Sequence, residues 1–342
     1  MPESHSSQTH RLLVVGVGSI GERHLRCFHR TERCQLTFCE PNSQLRQTIA
    51  ERYPFARAEP SLEAAMEGGG LDAAIIAAPS QLHLPIANQL AQAGVHLLIE
   101  KPLSTTWDGV SELRDQAQQK SLVVMIAYVH RSHPAVRAVK QVLDEGRFGR
   151  PVQLVAVVGQ NFPTYRPAYR EIYYTRHETG GGAIQDSMTH IYNMGEWLVG
   201  PIERIVTDAS HQILEGVTVE DTAHSLTRQG NVLGSYALNQ YQAPNELMVT
   251  VVCERGTVRI DYGKLRWSYM EQPDTPWQHH AVQVPERDHL YTTQAHSFLD
   301  ALEGKSPSPC TLADGMQTLA VNLASMRSAT SGCWETVRIP SA

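Results

Sequence analysis

The tightest constraint in this 342-residue chain is Gly16-Val17-Gly18-Ser19-Ile20-Gly21, set between an apolar run and a helical pattern. RLLVVGVG reads as a strand entering a glycine turn, and SIGERHLRCFHR as the helix that leaves it. In that setting each glycine has its own job: a tight turn, close approach of the backbone to a pyrophosphate, and close helix–strand packing. Ser19 and Ile20 open the helix, whose first N–H groups and partial positive charge suit an anion.

The rest of the first third keeps the same rhythm. QLTFCE, LDAAIIAAP, VHLLIEKP and SLVVMIAY read as buried strands, separated by helical NSQLRQTIAERY, LHLPIANQLAQAG and TTWDGVSELRDQAQQK. Continuous apolar strands, each followed by a helix, predict a doubly wound parallel sheet covered on both faces, a Rossmann-type α/β domain over residues 11–128. Residues 1–10, MPESHSSQTH, lack the apolar stretch of a secretory signal and are expected to be a mobile tail.

Past Tyr128 the pattern changes. PVQLVAVVGQ, ERIVTDASH, DTAHSLTRQ, VLGSYALNQY, ELMVTVVCE and GTVRIDYG read as longer, mostly antiparallel strands, which predicts an α+β domain over residues 129–342 built on one large sheet. Helices LYTTQAHSFLDALEG and TLADGMQTLAVNLASMRSAT are expected to cover one face. A second subunit would cover the other, giving a homodimer or homotetramer through this sheet.

Hydrophobic residues at 42% and charged residues at 19% are globular proportions, which excludes a disordered chain. A net charge of -6 without a basic stripe argues against nucleic acid and anionic membranes as partners. No apolar run reaches the roughly 18 residues of a membrane span. The cysteines are scattered without CxxC spacing, so reduced thiols, a cytoplasmic setting and no metal are expected. His279, His280 and Trp277 carry no metal signature either.

Glu40 ends the second strand, roughly twenty residues past the first glycine. A carboxylate there accepts hydrogen bonds from an adenosine ribose and repels a 2′-phosphate, so NAD is expected over NADP. Ligands of such sheets bind beyond the carboxyl ends of the strands, where Glu100-Lys101-Pro102 is located. A lysine held there can hydrogen-bond a substrate oxygen, although most lysines are surface groups. Farther on, Asp186 and His190 are four apart after Gly180-Gly181-Gly182 and share a face if the stretch is helical. A carboxylate beside an imidazole fixes its tautomer and raises its pKa, as a base working near neutrality requires. Taken alone, such a pair is more often a helix-surface contact.

In order and spacing, the glycine fingerprint, Ala78-Pro79-Ser80-Gln81-Leu82-His83, Glu100-Lys101-Pro102 and Gly181-Gly182 through Asp186 and His190 resemble the Gfo/Idh/MocA oxidoreductases over nearly the whole chain. The resemblance implies hydride transfer between a sugar or cyclitol carbon and a nicotinamide. It also implies that Lys101 and His190 flank the reacting hydroxyl, with His190 as general acid/base and Asp186 orienting it. Ala78, Pro79, Ser80 and His83 would lie near the cofactor, and Glu100 would help place Lys101. The family often has Thr-Pro-Asn at Ala78-Pro79-Ser80, Gly at Thr189 and Asp at Asn193; none of these differences removes a proton-transfer group.

An aromatic and basic loop runs from Asn161 to His177 into the proposed active-site helix. Tyr165, Arg166 and Tyr169 in it, with Tyr128, Arg131 and Asn193, are the expected substrate contacts, since such side chains pack on sugar faces and donate to hydroxyls or carboxylates. Packing against a neighbouring subunit is the alternative for this loop. Two other functions remain open to the same fold: a redox-neutral, NAD-dependent glycoside hydrolase, and a sugar or NAD sensor without catalysis. Intact Lys101, Asp186 and His190 argue against the sensor.

Overall fold

The computed structural model describes residues 9–340. The expected tail lies outside them up to residue 8, while His10 is buried and opens the first strand. The chain divides into two units. The first runs through Val129 and takes in Glu286–Leu312; the second comprises His130–Pro285 and the chain from Ala313 on.

The first unit alternates β1 (His10–Val15), α1 (Ser19–His29), β2 (Cys34–Cys39), α2 (Ser43–Arg52), β3 (Ala56–Glu59), α3 (Leu62–Glu67), β4 (Ala73–Ile76), α4 (His83–Gln92), β5 (His96–Ile99), α5 (Val110–Gln119) and β6 (Val124–Ile126). All pairings are parallel, in the order β3-β2-β1-β4-β5-β6. The central strands are apolar throughout because both faces are covered: Leu12, Val14, Ile75 and Leu98 are fully buried. β3, sequence ARAE, carries no apolar run and escapes a periodicity argument because it is a short edge strand, paired on one side only.

In the second unit, α6 (Pro134–Asp144) is capped by His133, whose Nδ1 accepts from Ala135 N at 3.2 Å. It leads into β7 (Pro151–Gly159), the single helical turn α7 (Phe162–Tyr165) and the helix α8 (Thr189–Val199). The strands β8 (Arg204–Ser210), β9 (Thr222–Gln229), β10 (Val232–Asn239), β11 (Glu246–Cys253), β12 (Gly256–Asp261), β13 (Arg266–Met270) and β14 (Gln278–Ala281) follow. With β15 (Glu335–Thr336) they form a nine-stranded sheet, antiparallel except where β10 runs parallel to β7. One face packs Val139, Met188, Ile191, Tyr192, Val321 and Ala324 of its helices against Leu154, Tyr236 and Val249. Within that core the hydroxyls of Tyr192, Thr207, Ser225 and Ser325 satisfy one another at 2.6–3.0 Å.

Two helices follow the main run of strands, α9 (His289–Leu302) and α10 (Leu312–Ser331). Both were expected over the large sheet; only α10 is there. α9 belongs to the first unit, where Phe298 meets Phe28 of α1 edge-on at 6.1 Å. Asp288, just before α9, takes a bidentate pair from Arg26 at 2.5 and 3.0 Å and a further contact from Arg23 at 3.2 Å. The apolar stripe of α9 records that one face is buried, and the arginine-rich outer side of α1 decides against what.

Phe298→Ala should lower the unfolding free energy of the first unit by about 3–5 kcal/mol, because a fully buried aromatic ring is removed from a packed core. A denaturant titration with an unchanged midpoint would show that α9 is not part of that core.

Candidate active site

Gly16 has φ +81°, and a Cβ there would sit 3.2 Å from the Ala77 carbonyl oxygen and the Ala78 nitrogen beyond β4. A Cβ on Gly21 would overlap the Gly16 carbonyl. These two glycines are therefore required by the fold of the turn. Gly18 differs: a Cβ there would meet nothing within 4 Å, so its backbone faces open space at the N-terminus of α1. Open space, unpaired first-turn N–H groups of Ser19 and Ile20, and the positive end of the helix dipole fit a pyrophosphate. Glu40 joins this loop, accepting from Val17 N at 3.2 Å and Asn42 N at 3.0 Å.

Two loops at the carboxyl end of the sheet are tied by His83. Its Nδ1 lies 2.9 Å from the Pro102 carbonyl and its Nε2 2.9 Å from the Ala78 carbonyl. Burial holds its pKa below the usual imidazole range even though both carbonyls pull the other way. A neutral ring donates to only one of them. Buried in this way, His83 ties the two loops to each other through their backbone carbonyls. Pro79 is exposed in the same loop and Ser80 is buried at the start of a short 3-10 turn.

Glu100 is buried beyond β5. Its Oε1 accepts from His24 Nε2 at 2.7 Å and its Oε2 from the Lys101 N–H at 3.1 Å. Burial pushes this carboxyl up, but the His24 hydrogen bond and the charges of His24 and Lys101 outweigh it, so the group sits below its ordinary range. Glu100 thus anchors the Lys101 backbone to α1, and Lys101 itself is half-buried. His24 was missed by sequence reasoning; its one signal is a histidine three residues past the last glycine, on the helix that faces β5.

In the second unit, the glycine run is shaped by one carboxylate. Glu220 accepts from Ile184 N at 2.9 Å and from His177 Nε2 at 2.6 Å, while its carbonyl accepts from Ala183 N at 2.8 Å. Gly182, at φ +87°, would put a Cβ 2.5 Å from that carboxylate, and a Cβ on Gly181 would overlap the Tyr174 carbonyl. The chain then enters a π-helical turn, Ile184–Met188, before α8. The wider turn changes the angular relation of Asp186 to His190 from the ideal α-helical one assumed above. Asp186 is buried, with Tyr173 OH donating to Oδ1 at 2.7 Å and Ser187 Oγ to Oδ2 at 3.2 Å. His190 is half-buried, its ring 4.8 Å from that of His130 and edge-on to it. His130 Nδ1 in turn lies 3.0 Å from Tyr262 OH.

The expected substrate contacts divide. Tyr165 and Arg166 are exposed on the loop. Tyr169 is instead buried in a small core of the loop's own, with Phe162, Tyr174, Leu214, Val217 and Val219, and its hydroxyl donates to the Glu215 carbonyl at 2.7 Å. Tyr128 is buried as well. Arg131 and Asn193 are both buried and turned inward. Arg131 Nε donates to Asn193 Oδ1 at 2.8 Å, and its guanidinium lies over Trp197 and 3.3 Å from Asp314. Asn193 Nδ2 donates to Thr318 Oγ1 at 3.0 Å, and Thr318 donates to Glu196 Oε2 at 2.8 Å. With the Thr318 proton committed to Glu196, the residue at 193 must donate to Thr318 while accepting from Arg131. An amide does both and an aspartate cannot, which accounts for Asn193.

The His177–Glu220 pair gives this region a pH dependence. The hydrogen bond to Glu220 raises the His177 pKa against the cost of burial. A raised folded-state pKa means stabilisation that is complete below the unfolded value of about 6.5 and lost as pH rises through the folded value. The melting temperature of the native chain should therefore exceed that of His177→Gln below about pH 6 and converge with it at higher pH. A difference between the two that is constant from acid to alkaline pH would refute this assignment.

Comparison with known proteins shows the family and the fold. Residues 10–128 match the family model described as oxidoreductase family, NAD-binding Rossmann fold, and residues 136–259 match the GFO/IDH/MocA C-terminal domain. Levoglucosan dehydrogenase from Pseudarthrobacter phenanthrenivorans is 25% identical, over 86% of this chain and 87% of its own. Inositol 2-dehydrogenase from Corynebacterium glutamicum is 28% identical, over 76% of this chain and 77% of its own. The solved complex of levoglucosan dehydrogenase with NADH and levoglucosan superposes with a TM-score of 0.88 over 96% of this chain and 100% of that one, at 22% identity, which shows the shared fold. The two family matches together span most of the chain: it belongs to the GFO/IDH/MocA oxidoreductases, and its first unit is their NAD-binding Rossmann domain.

Proposed function

We propose that this oxidoreductase interconverts a sugar or cyclitol alcohol and the matching ketone, with Lys101 and His190 handling the proton. The observation that carries the reading is that Lys101, Asp186 and His190 all occur in this chain, Lys101 fixed through Glu100 at the carboxyl end of its sheet and Asp186 held in the second unit by hydroxyl donors. The relatives named for levoglucosan and inositol support a polyhydroxylated ring as substrate. When bound, the nicotinamide supplies the hydride acceptor or donor. The chain's own residues do the remainder. Lys101 Nζ hydrogen-bonds the oxygen at the reacting carbon, His190 takes or returns its proton, and Asp186 supports the imidazole. Glu40 favours a free ribose 2′-hydroxyl and so NAD. Tyr165 and Arg166, exposed on the loop, are the groups proposed to meet the sugar, whereas Tyr128, Tyr169, Arg131 and Asn193 are buried.

A second copy of the chain is proposed to cover the outer face of the large sheet, where Val157, Leu226 and Leu233 are exposed on neighbouring strands. Such side chains grouped on an uncovered sheet face mark an association surface. The cysteines are all free thiols, several of them buried, which suits work in the reducing cytoplasm. No helix among the described residues is long and apolar enough to cross a membrane.

The first experiment is to follow reduced-nicotinamide absorbance with NAD and a panel of free sugars, inositols, uronates and glycosides. A steady rise with one compound identifies the substrate class. No rise, together with cleavage of a glycoside, would favour the redox-neutral hydrolase instead. Lys101→Met and His190→Asn should each lower kcat by about 10²–10⁴-fold while changing NAD affinity little; full activity in both variants removes their proposed roles. In sedimentation, Leu226→Glu combined with Leu233→Glu should shift the assembly towards monomer, and an unchanged assembly would place the interface elsewhere.

A further inference from the structure

The aromatic loop reaches the proposed site through two consecutive tyrosines. Tyr173 OH donates to Asp186 Oδ1 at 2.7 Å. On the other side of the carboxylate, Ser187 Oγ donates to Oδ2 at 3.2 Å and itself accepts from Gln240 Nε2 at 3.0 Å, and Gln240 Oε1 accepts from Tyr174 OH. Tyr174 OH also lies 3.4 Å from the Glu220 carbonyl oxygen, and the donor and acceptor roles along the chain are mutually consistent. Tyr174 is wholly buried in the loop's own core with Phe162 and Tyr169, whereas Tyr173 is 37% exposed. Burial and the Asp186 charge push the Tyr173 phenol well above its usual range, which keeps it a donor at any working pH.

Building on the dehydrogenase reading above, we propose that Tyr173 is a positioning residue: it fixes the Asp186 carboxylate in its ionised form and, by the same bond, latches the 161–179 loop onto the active-site helix. Hydrogen bonds to the charged form of a carboxyl stabilise that form, and a phenol pointed at Oδ1 does so without adding a charge of its own. The titratable and charged groups of the same unit around Asp186 are Tyr173, Tyr174 and Arg166 from the loop, Glu220 at the glycine turn and His190 at the start of α8. Tyr173 donates directly to Asp186 and is itself partly exposed. A substrate that pressed on that ring would bear on Asp186.

Tyr173→Phe removes the hydroxyl and keeps the packing. With levoglucosan and myo-inositol as probes, the acid limb of kcat/KM should move up by about one pH unit, while KM at neutral pH changes less than about threefold. An unchanged pH profile overturns the proposal. A second arm needs no turnover. Trypsin can cut the loop at Arg170 and Arg176, and cleavage of the NAD-saturated protein should quicken about fivefold in Tyr173→Phe and in Asp186→Ala. The double variant should be cut no faster than the faster single, because both substitutions break one bond. Additive effects, or rates equal to the native protein's, sink the latch. Non-additive cleavage without turnover on any probe would keep the latch and reject the dehydrogenase. Turnover with a native pH profile and native cleavage would do the reverse.

Discussion

The second unit depends on the carboxylate of Glu220. It closes a turn that has no side chain of its own to close it: Ile184 N and His177 both donate to it, and Gly182 leaves it room. Each charge-assisted bond of this kind is worth about 1.5–3 kcal/mol, and leaving the helix N–H groups unmet in a buried site would cost a similar amount. Because the turn is held from the β9 side, the following residues enter a π-turn and deliver Asp186 inward to Tyr173 and Ser187. The aromatic loop and the proposed catalytic carboxylate are thus two ends of one hydrogen-bonded assembly. Glycine at 181 and 182 follows from close approach of backbone and carboxylate, before any requirement of chemistry.

Much of this was legible in the residues, and what was not shares a physical cause. The parallel strands of the first unit announce themselves because a strand buried on both faces has no polar positions, and the glycine fingerprint because only glycine fits beside Ala77 and Gly16. β3 stayed hidden because an edge strand needs no apolar run. α9 showed its apolar face but not its destination, since periodicity reports burial and is silent on the partner. The spacing of Asp186 and His190 shows that they share a face but not that the segment opens on a π-turn. His24, Glu220 and Tyr173 could not be found by spacing at all: they lie 76, 36 and 13 residues from the groups they hold.

The sorting of aromatic and basic residues teaches the same lesson from the other side. A loop rich in tyrosine and arginine reads as a sugar-binding surface, yet Tyr169 and Tyr174 serve a small core that the loop must have to be ordered at all. Arg131 and Asn193 read as contacts and turn out to be a buried polar chain to α10. A departure from the family's aspartate at 193 then has a local explanation in donor and acceptor counting, independent of which sugar is bound.

The buried carboxyls of this chain show what decides their charge. Glu100 is enclosed as fully as Glu196, and both are pushed up by burial. Glu100 faces an imidazole and a lysine and ends below its ordinary range; Glu196 faces a threonine, a glutamine and a backbone N–H, with Arg131 a weaker influence, and is pushed up to about 7. Donors aimed at a carboxylate replace its lost hydration, and a nearby cation adds to their effect. Asp221, fully enclosed, reaches a lowered pKa on the N–H groups of Gln212, Ile213 and Leu214 together with the Thr222 hydroxyl. At neutral pH Glu196 is therefore close to half-ionised, and its ionised form is the one that holds the Thr318 proton. As pH rises through about 7, that hold strengthens, and with it the direction of the Asn193 amide and the seat of Arg131. The polar chain behind α8 is thus set by the ionisation of the buried Glu196.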